Sequence, residues 1–145
     1  MKFSLVQLGD ICELNPGVDS GIQDDVNCSF VPMEYVDDIS GTITKSDTRR
    51  IGDVKKGYTF FRDGDVIFAK ITPCMENGKC ALAKNLTNGI AFGSTEFHVV
   101  RARNSIIPQW IYYFLRQEKI RQQATHWFRG TAGQQRVPIA FIEEL

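Results

Sequence analysis

At 145 residues with 17 basic and 17 acidic side chains, the chain is the size of one ordinary domain with a single core. Four cysteines are too few for a disulfide scaffold, no stretch reaches the roughly 18 apolar residues of a membrane span, and MKFSLVQLGD meets Gly9 and Asp10 too early for a secretory signal. The expectation is a soluble, cytoplasmic, single-domain protein spanning residues 1–145, with its thiols reduced.

The first part of the chain reads as β-rich. A strand is expected over Val31 to Val36, after an acidic, glycine-containing loop, and another over Tyr58 to Phe61. Asp63-Gly64-Asp65 is a turn signal. The run 65-DVIFAKI-71 that follows is apolar on both faces until Lys70 breaks it. Cys80 to Ala83 and Gly89 to Phe92 are short strand candidates on either side of Asn88-Gly89, a hairpin-type dipeptide. Thr95 to Arg101 alternates again. From Pro108 the period changes, and apolar residues at Ile111, Phe114, Leu115, Ile120, Ala124, Trp127 and Phe128 predict one bent helix or two consecutive ones. A polar loop, 129-RGTAGQQRVP-138, precedes a short helical end, Ile139 to Leu145. Strands first and helices later predict an α+β fold: a twisted, mainly antiparallel β-sheet with helices packed on one side and a C-terminal helical segment.

The even charge balance conceals a gradient. Net charge is −7 over residues 1–40, +3 over 41–98 and +6 over 99–142. Such asymmetry fits a polyanion-binding face, although solvated charges on surface helices would give the same count.

Metal and redox chemistry are poorly supported. Cys74 and Cys80 are five residues apart within 70-KITPCMENGKCAL-82, with no second close pair of cysteines or histidines. A C-x-x-C redox motif is also missing, so two small thiols packed beside a loop is the simpler reading. Asp63, Asp65 and Glu96, with Lys70, could be assembled into an Mg²⁺-dependent nuclease site. The Asp-Gly-Asp turn is sufficient to explain two of those carboxylates. His98 alternates with apolar strand residues, where a hydrogen-bonded core histidine is the commoner case. Asn15-Pro16-Gly17 is only superficially similar to the Asn-Pro-Pro-aromatic motif of adenine methyltransferases. No catalytic, metal-binding or cofactor-binding residue is assigned.

Two loops carry the residue types that read nucleic acid. Arg and Lys suit guanine or phosphate, and Asn and Gln suit adenine. The first loop supplies Lys70, Thr72, Glu76, Asn77 and Lys79. The second supplies Arg129, Thr131, Gln134, Gln135 and Arg136, with Gly130 and Gly133 allowing backbone amides to approach phosphates. Ser94, Thr95 and Glu96 are expected to line the same cleft. Lys70, Lys79, Arg129 and Arg136 are the expected anchors, and Thr72, Asn77, Gln134 and Gln135 the expected readers.

The run 65-DVIFAKITPCMENGKCALA-83, then 88-NGIAFGSTEFHVVR-101, then 130-GTAGQQRVP-138, resembles the target recognition domain of type I restriction-modification specificity subunits. The opening 6-VQLGDICELNPG-17 and 30-FVPMEYVDDISGTI-43 look like the same family's start, so the likeness runs through nearly the whole chain. It implies a non-catalytic domain that reads one half of a split site in double-stranded DNA. It also implies partners: a methyltransferase subunit that brings S-adenosylmethionine, a restriction subunit, and a second specificity domain across a helical spacer. Neither that spacer nor a second recognition domain lies within these 145 residues. Two other readings stand beside this one: a stand-alone Mg²⁺-dependent nuclease, and a module that regulates a methyltransferase without reading DNA.

Overall fold

The computed structural model describes residues 3–131 and 134–145. The chain opens with a single helical turn, α1 (Leu8–Ile11), and then β1 (Cys12–Leu14), β2 (Asn27–Val31), β3 (Val36–Asp37), β4 (Thr42–Ile43) and β5 (Asp47–Arg50). A second turn, α2 (Ile51–Val54), leads to β6 (Thr59–Arg62), β7 (Val66–Ala69), β8 (Cys80–Leu82), β9 (Ile90–Gly93) and β10 (Phe97–Ala102). The helices α3 (Pro108–Leu115), α4 (Glu118–Ala124) and α5 (Ile139–Glu143) complete it.

The strands divide between two four-stranded sheets, with β3 and β4 as a separate ribbon. The first sheet, ordered β1-β10-β7-β8, is antiparallel throughout. The second, ordered β5-β2-β9-β6, contains one parallel pair, β2 with β9. Side-chain alternation then builds layers. On the first sheet Val66, Phe68, Cys80 and Val100 face the helices and pack with Ile111, Leu115, Ile120, Phe141 and Ile142. Ile67, Ala81, Phe97 and Val99 face the other way, against Val31, Phe61 and Ala91 of the second sheet. Phe60, Phe92 and Cys28 form that sheet's outer face, covered by Ile51 and Val54 of α2. The four residues of β7 are all buried because both of its faces are covered, which is why VIFA shows no polar alternation.

Two local expectations need correction. The strand expected over Val31 to Val36 ends at Val31, because Pro32 has no N–H for the ladder and a 3-10 turn, Met33–Tyr35, follows. Asn88-Gly89 adopts the expected left-handed backbone, with φ of 54° and 72°. It does not close a hairpin, however, because β8 pairs with β7 while β9 pairs with β2 and β6. The turn carries the chain from one sheet to the other. The apolar run from Pro108 forms two consecutive helices, the second of its two expected arrangements, broken where Gln117 adopts an extended conformation and its side chain bonds to Phe114 O at 3.1 Å. Among the described residues no helix is long and apolar enough to cross a membrane.

Candidate nucleic-acid interface

Loops 70–79 and 129–136 are far apart in sequence and joined through their backbones. Thr72 N donates to Gln135 O at 3.0 Å, and Gln135 N donates to Thr72 Oγ1 at 3.2 Å. Val137 N donates to Lys70 O at 2.8 Å. Arg129 and Arg136 exchange two bonds, of 2.9 and 2.8 Å, which close the second loop on itself. Glu96 joins the same seam, as Lys70 N donates to its carbonyl at 2.9 Å. Ser94 Oγ in turn accepts from Glu96 N at 3.1 Å. Lys70, Thr72, Ser94, Thr95, Glu96, Gln135 and Arg136 therefore share one continuous region at the end of β7 and the start of β10.

The seam is held from beneath by His98. This buried residue places Nε2 2.7 Å from Val137 O and Nδ1 3.3 Å from Asn15 Nδ2. The neutral ring satisfies both, donating from Nε2 and accepting at Nδ1. Burial is the main cause that pushes its pKa down to about 4; nearby Lys70 adds to this, while the Val137 bond and Glu96 oppose it. Asn15 is itself fixed, since its Oδ1 accepts from Val99 N at 2.8 Å and its N donates to Val99 O at 2.8 Å. His98 is thus the hydrogen-bonded core histidine expected from its place in the strand.

Glu96 and Arg136 form a two-pronged ion pair. Arg136 Nε donates to Oε1 and Oε2 at 3.1 and 2.9 Å, Nη2 donates to Oε1 at 2.9 Å, and Nη1 donates to Gln134 O at 3.3 Å. The bonds from Arg136 hold the Glu96 carboxyl below its ordinary range.

Other candidates lie elsewhere. Glu76 and Asn77 are exposed at the far tip of loop 70–79. That tip is tied to the helices, as Arg116 Nη1 donates to Gly78 O at 2.7 Å. Gly78 has φ of +90°, and a Cβ there would lie 3.3 Å from the Arg121 guanidinium, so the residue suits the position twice over. Lys79 turns toward the other sheet and donates from Nζ to Met33 O at 3.1 Å. Arg129, Thr131 and Gln134 are exposed on the second loop, while Gly133 lies outside the described residues. Beside Lys70 and Thr95 runs a cleft of about 280 Å³ lined also by Asn15, Pro16, Val18 and Tyr58. Tyr58 was not among the sequence candidates. A half-exposed tyrosine just after Lys55-Lys56-Gly57 is the signal that could have marked it.

The charge gradient looks different once partners are assigned. Arg101 makes a bidentate pair with the buried Asp65 at 2.8 and 2.8 Å. Arg116 donates to the carbonyls of Asp38, Ile39 and Gly78, and Arg121 to that of Arg116. Much of the C-terminal positive charge therefore holds the fold together.

The carboxylates proposed for a nuclease do not converge. Asp65 accepts from Arg101 and from Arg62 N, Asp63 accepts from Leu86 N at 3.0 Å, and Glu96 is paired with Arg136. Among the described residues no three His, Cys, Asp or Glu side chains are grouped to hold a metal ion. Cys12, Cys28 and Cys80 are buried and Cys74 is partly exposed, all as free thiols. Burial pushes the Cys80 thiol up to about 12 and Cys12 up to about 11.

This layered α+β arrangement is shared with part of solved chains of the type I restriction-modification system. Over 96% of this chain it superposes on a structure titled for complex assembly and conformational transition of the type I R-M system, with a TM-score of 0.75 and 24% identity. Over the same share it superposes on the HsdS subunit from Thermoanaerobacter tengcongensis, with a TM-score of 0.69 and 24% identity. In both cases 35% of the solved chain is covered. Sequence similarity is closer to two Escherichia coli proteins. The chain is 37% identical over 139 residues to the type I restriction enzyme EcoEI specificity subunit, and 38% identical over 134 residues to the EcoAI specificity subunit. Those matches cover 95% and 92% of this chain and 23% of each relative, so the chain spans about a quarter of their length. No family model matches the chain. The chain is a homologue of part of the type I restriction enzyme specificity subunits.

Proposed function

We propose that this chain is a non-catalytic DNA target recognition domain. It reads a few base pairs of duplex DNA, one half of a bipartite site, and directs the methyltransferase and restriction subunits of its system to them. The observation that carries this reading is the seam joining loops 70–72 and 135–137, which brings base-reading and phosphate-binding residue types together on a fold shared with specificity subunits. Lys70 and Arg129 would contact phosphate, while Thr72, Gln134 and Gln135 would face base edges from the major groove. Glu76, Asn77 and Thr131 would contribute from the loop tips, Lys79 from the base of the first loop, and Ser94 and Thr95 from the cleft wall. One such domain neutralises few phosphates, so its binding alone is weak and its partners strengthen it by avidity.

The test is selection of bound duplexes from a random pool, by the chain alone and together with a methyltransferase subunit. A short common motif in the bound fraction supports the reading, and its absence in both arms refutes it. Incubation with plasmid and Mg²⁺ is expected to leave the DNA uncut. The separation of Asp63, Asp65 and Glu96 among different partners weighs against the nuclease alternative.

A further inference from the structure

The geometry points to Arg136 as a guanine reader whose guanidinium is positioned by Glu96. This rests on the DNA-reading proposal and adds to it a particular base and a positioning residue. A guanidinium has five N–H directions. Here the lateral edge, Nε with Nη2, is taken by the Glu96 carboxylate, and one Nη1–H is taken by Gln134 O. Among the described residues one N–H on each Nη is left without a partner, and two donors on these adjacent nitrogens can serve as the end of the fork. That end pairs with two adjacent acceptors in a plane, as presented by O6 and N7 of guanine in the major groove. Arg136 is exposed, with 46% of its side chain accessible.

The same pair argues against a phosphate role for Arg136. A Glu–Arg pair has no net charge, and its carboxylate repels phosphate oxygens at close range. Its value is orientation: the fork is held before DNA arrives, so little rotamer freedom is lost on binding. The anchoring of Glu96 is also firm. Its backbone N donates to Ser94 Oγ and its backbone carbonyl accepts from Lys70 N, so the main chain that carries the carboxylate is tied to the end of β7.

This assignment predicts opposite effects on specific and non-specific binding, which a merely structural role for Glu96 does not. Glu96→Gln should lower the preference for guanine at one position of the selected motif by about tenfold. It should also raise the affinity for unrelated duplexes, because a negative charge has been removed. Arg136→Lys keeps the charge but loses the planar fork, so it should weaken the guanine preference and retain non-specific binding. The decisive arm replaces that guanine with 7-deazaguanine, which lacks the N7 acceptor. The wild-type chain should bind the analogue about tenfold more weakly, while both variants should distinguish it from guanine less than the wild type does. Wild-type indifference to 7-deazaguanine at every guanine of the motif overturns the assignment. Equal losses on all duplexes for Glu96→Gln would overturn the positioning role. If the wild-type chain selects no motif, the DNA-reading proposal itself has failed.

Discussion

Acidification from pH 7 to pH 5 should cost this fold about 2 kcal/mol through His98 alone. The ring is buried, and burial pushes its pKa down to about 4, whereas an unfolded chain titrates near its ordinary 6.5. Between those values the unfolded state binds the proton and the folded state does not. The contribution is therefore fully present above pH 6.5, falls as pH drops from 6.5 toward 4, and changes no further below that. Integrating the difference between pH 7 and pH 5 gives the figure of about 2 kcal/mol. Urea unfolding followed by tryptophan fluorescence at pH 7, 6 and 5 measures it, and His98→Gln supplies the control. The variant can still donate to Val137 O but cannot titrate, so its stability should be flatter over this window. Glu96 and Asp37, whose carboxyls are held low, lose their contributions at more acidic pH and do not confuse the test. Equal pH slopes for wild type and variant would refute the view that a neutral, buried His98 supports the seam.

Asp65→Asn should destabilise the domain by about 3 to 5 kcal/mol, measured by the same unfolding assay, because it leaves the Arg101 guanidinium buried against a neutral partner. Gln135→Ala should relax the preference at one base position and cost about 1 to 3 kcal/mol on the preferred duplex only. Lys70→Ala should weaken every duplex alike and reduce the slope of log affinity against log salt by about 1. Titrations across a salt series separate those two outcomes. Alkylation of the native chain followed by mass spectrometry should modify Cys74 well before Cys12, Cys28 and Cys80, which are buried and resist ionisation.

Much of this architecture was legible in the sequence. DVIFAKI announced a strand covered on both sides, Pro108 announced a helix start, and Asp63-Gly64-Asp65 a turn, because each depends on local periodicity or backbone preference. The division into two stacked sheets was not legible, since it depends on which strands pair, and Asn88-Gly89 gives the same dihedral angles whether it closes a hairpin or links two sheets. The candidate loops followed from residue type, but their joining through Thr72 and Gln135 is a tertiary fact with no sequence signature. Charge counting misled most. Within the +6 counted over residues 99–142, Arg101, Arg116 and Arg121 are bound to a buried carboxylate and to backbone carbonyls. Residue type alone makes Arg136 an anchor, and only its geometry reveals the carboxylate that holds it.

The central claim, that this chain itself discriminates DNA sequence, is tested most directly by a ratio. Affinity for the duplex recovered by selection and for a scrambled duplex of equal length should be measured at one fixed, near-physiological salt concentration. Intact seam residues predict a preference of about tenfold or more, reduced by Gln135→Ala and unaffected by Lys70→Ala. Equal affinity for the two duplexes in the wild-type chain would contradict the account.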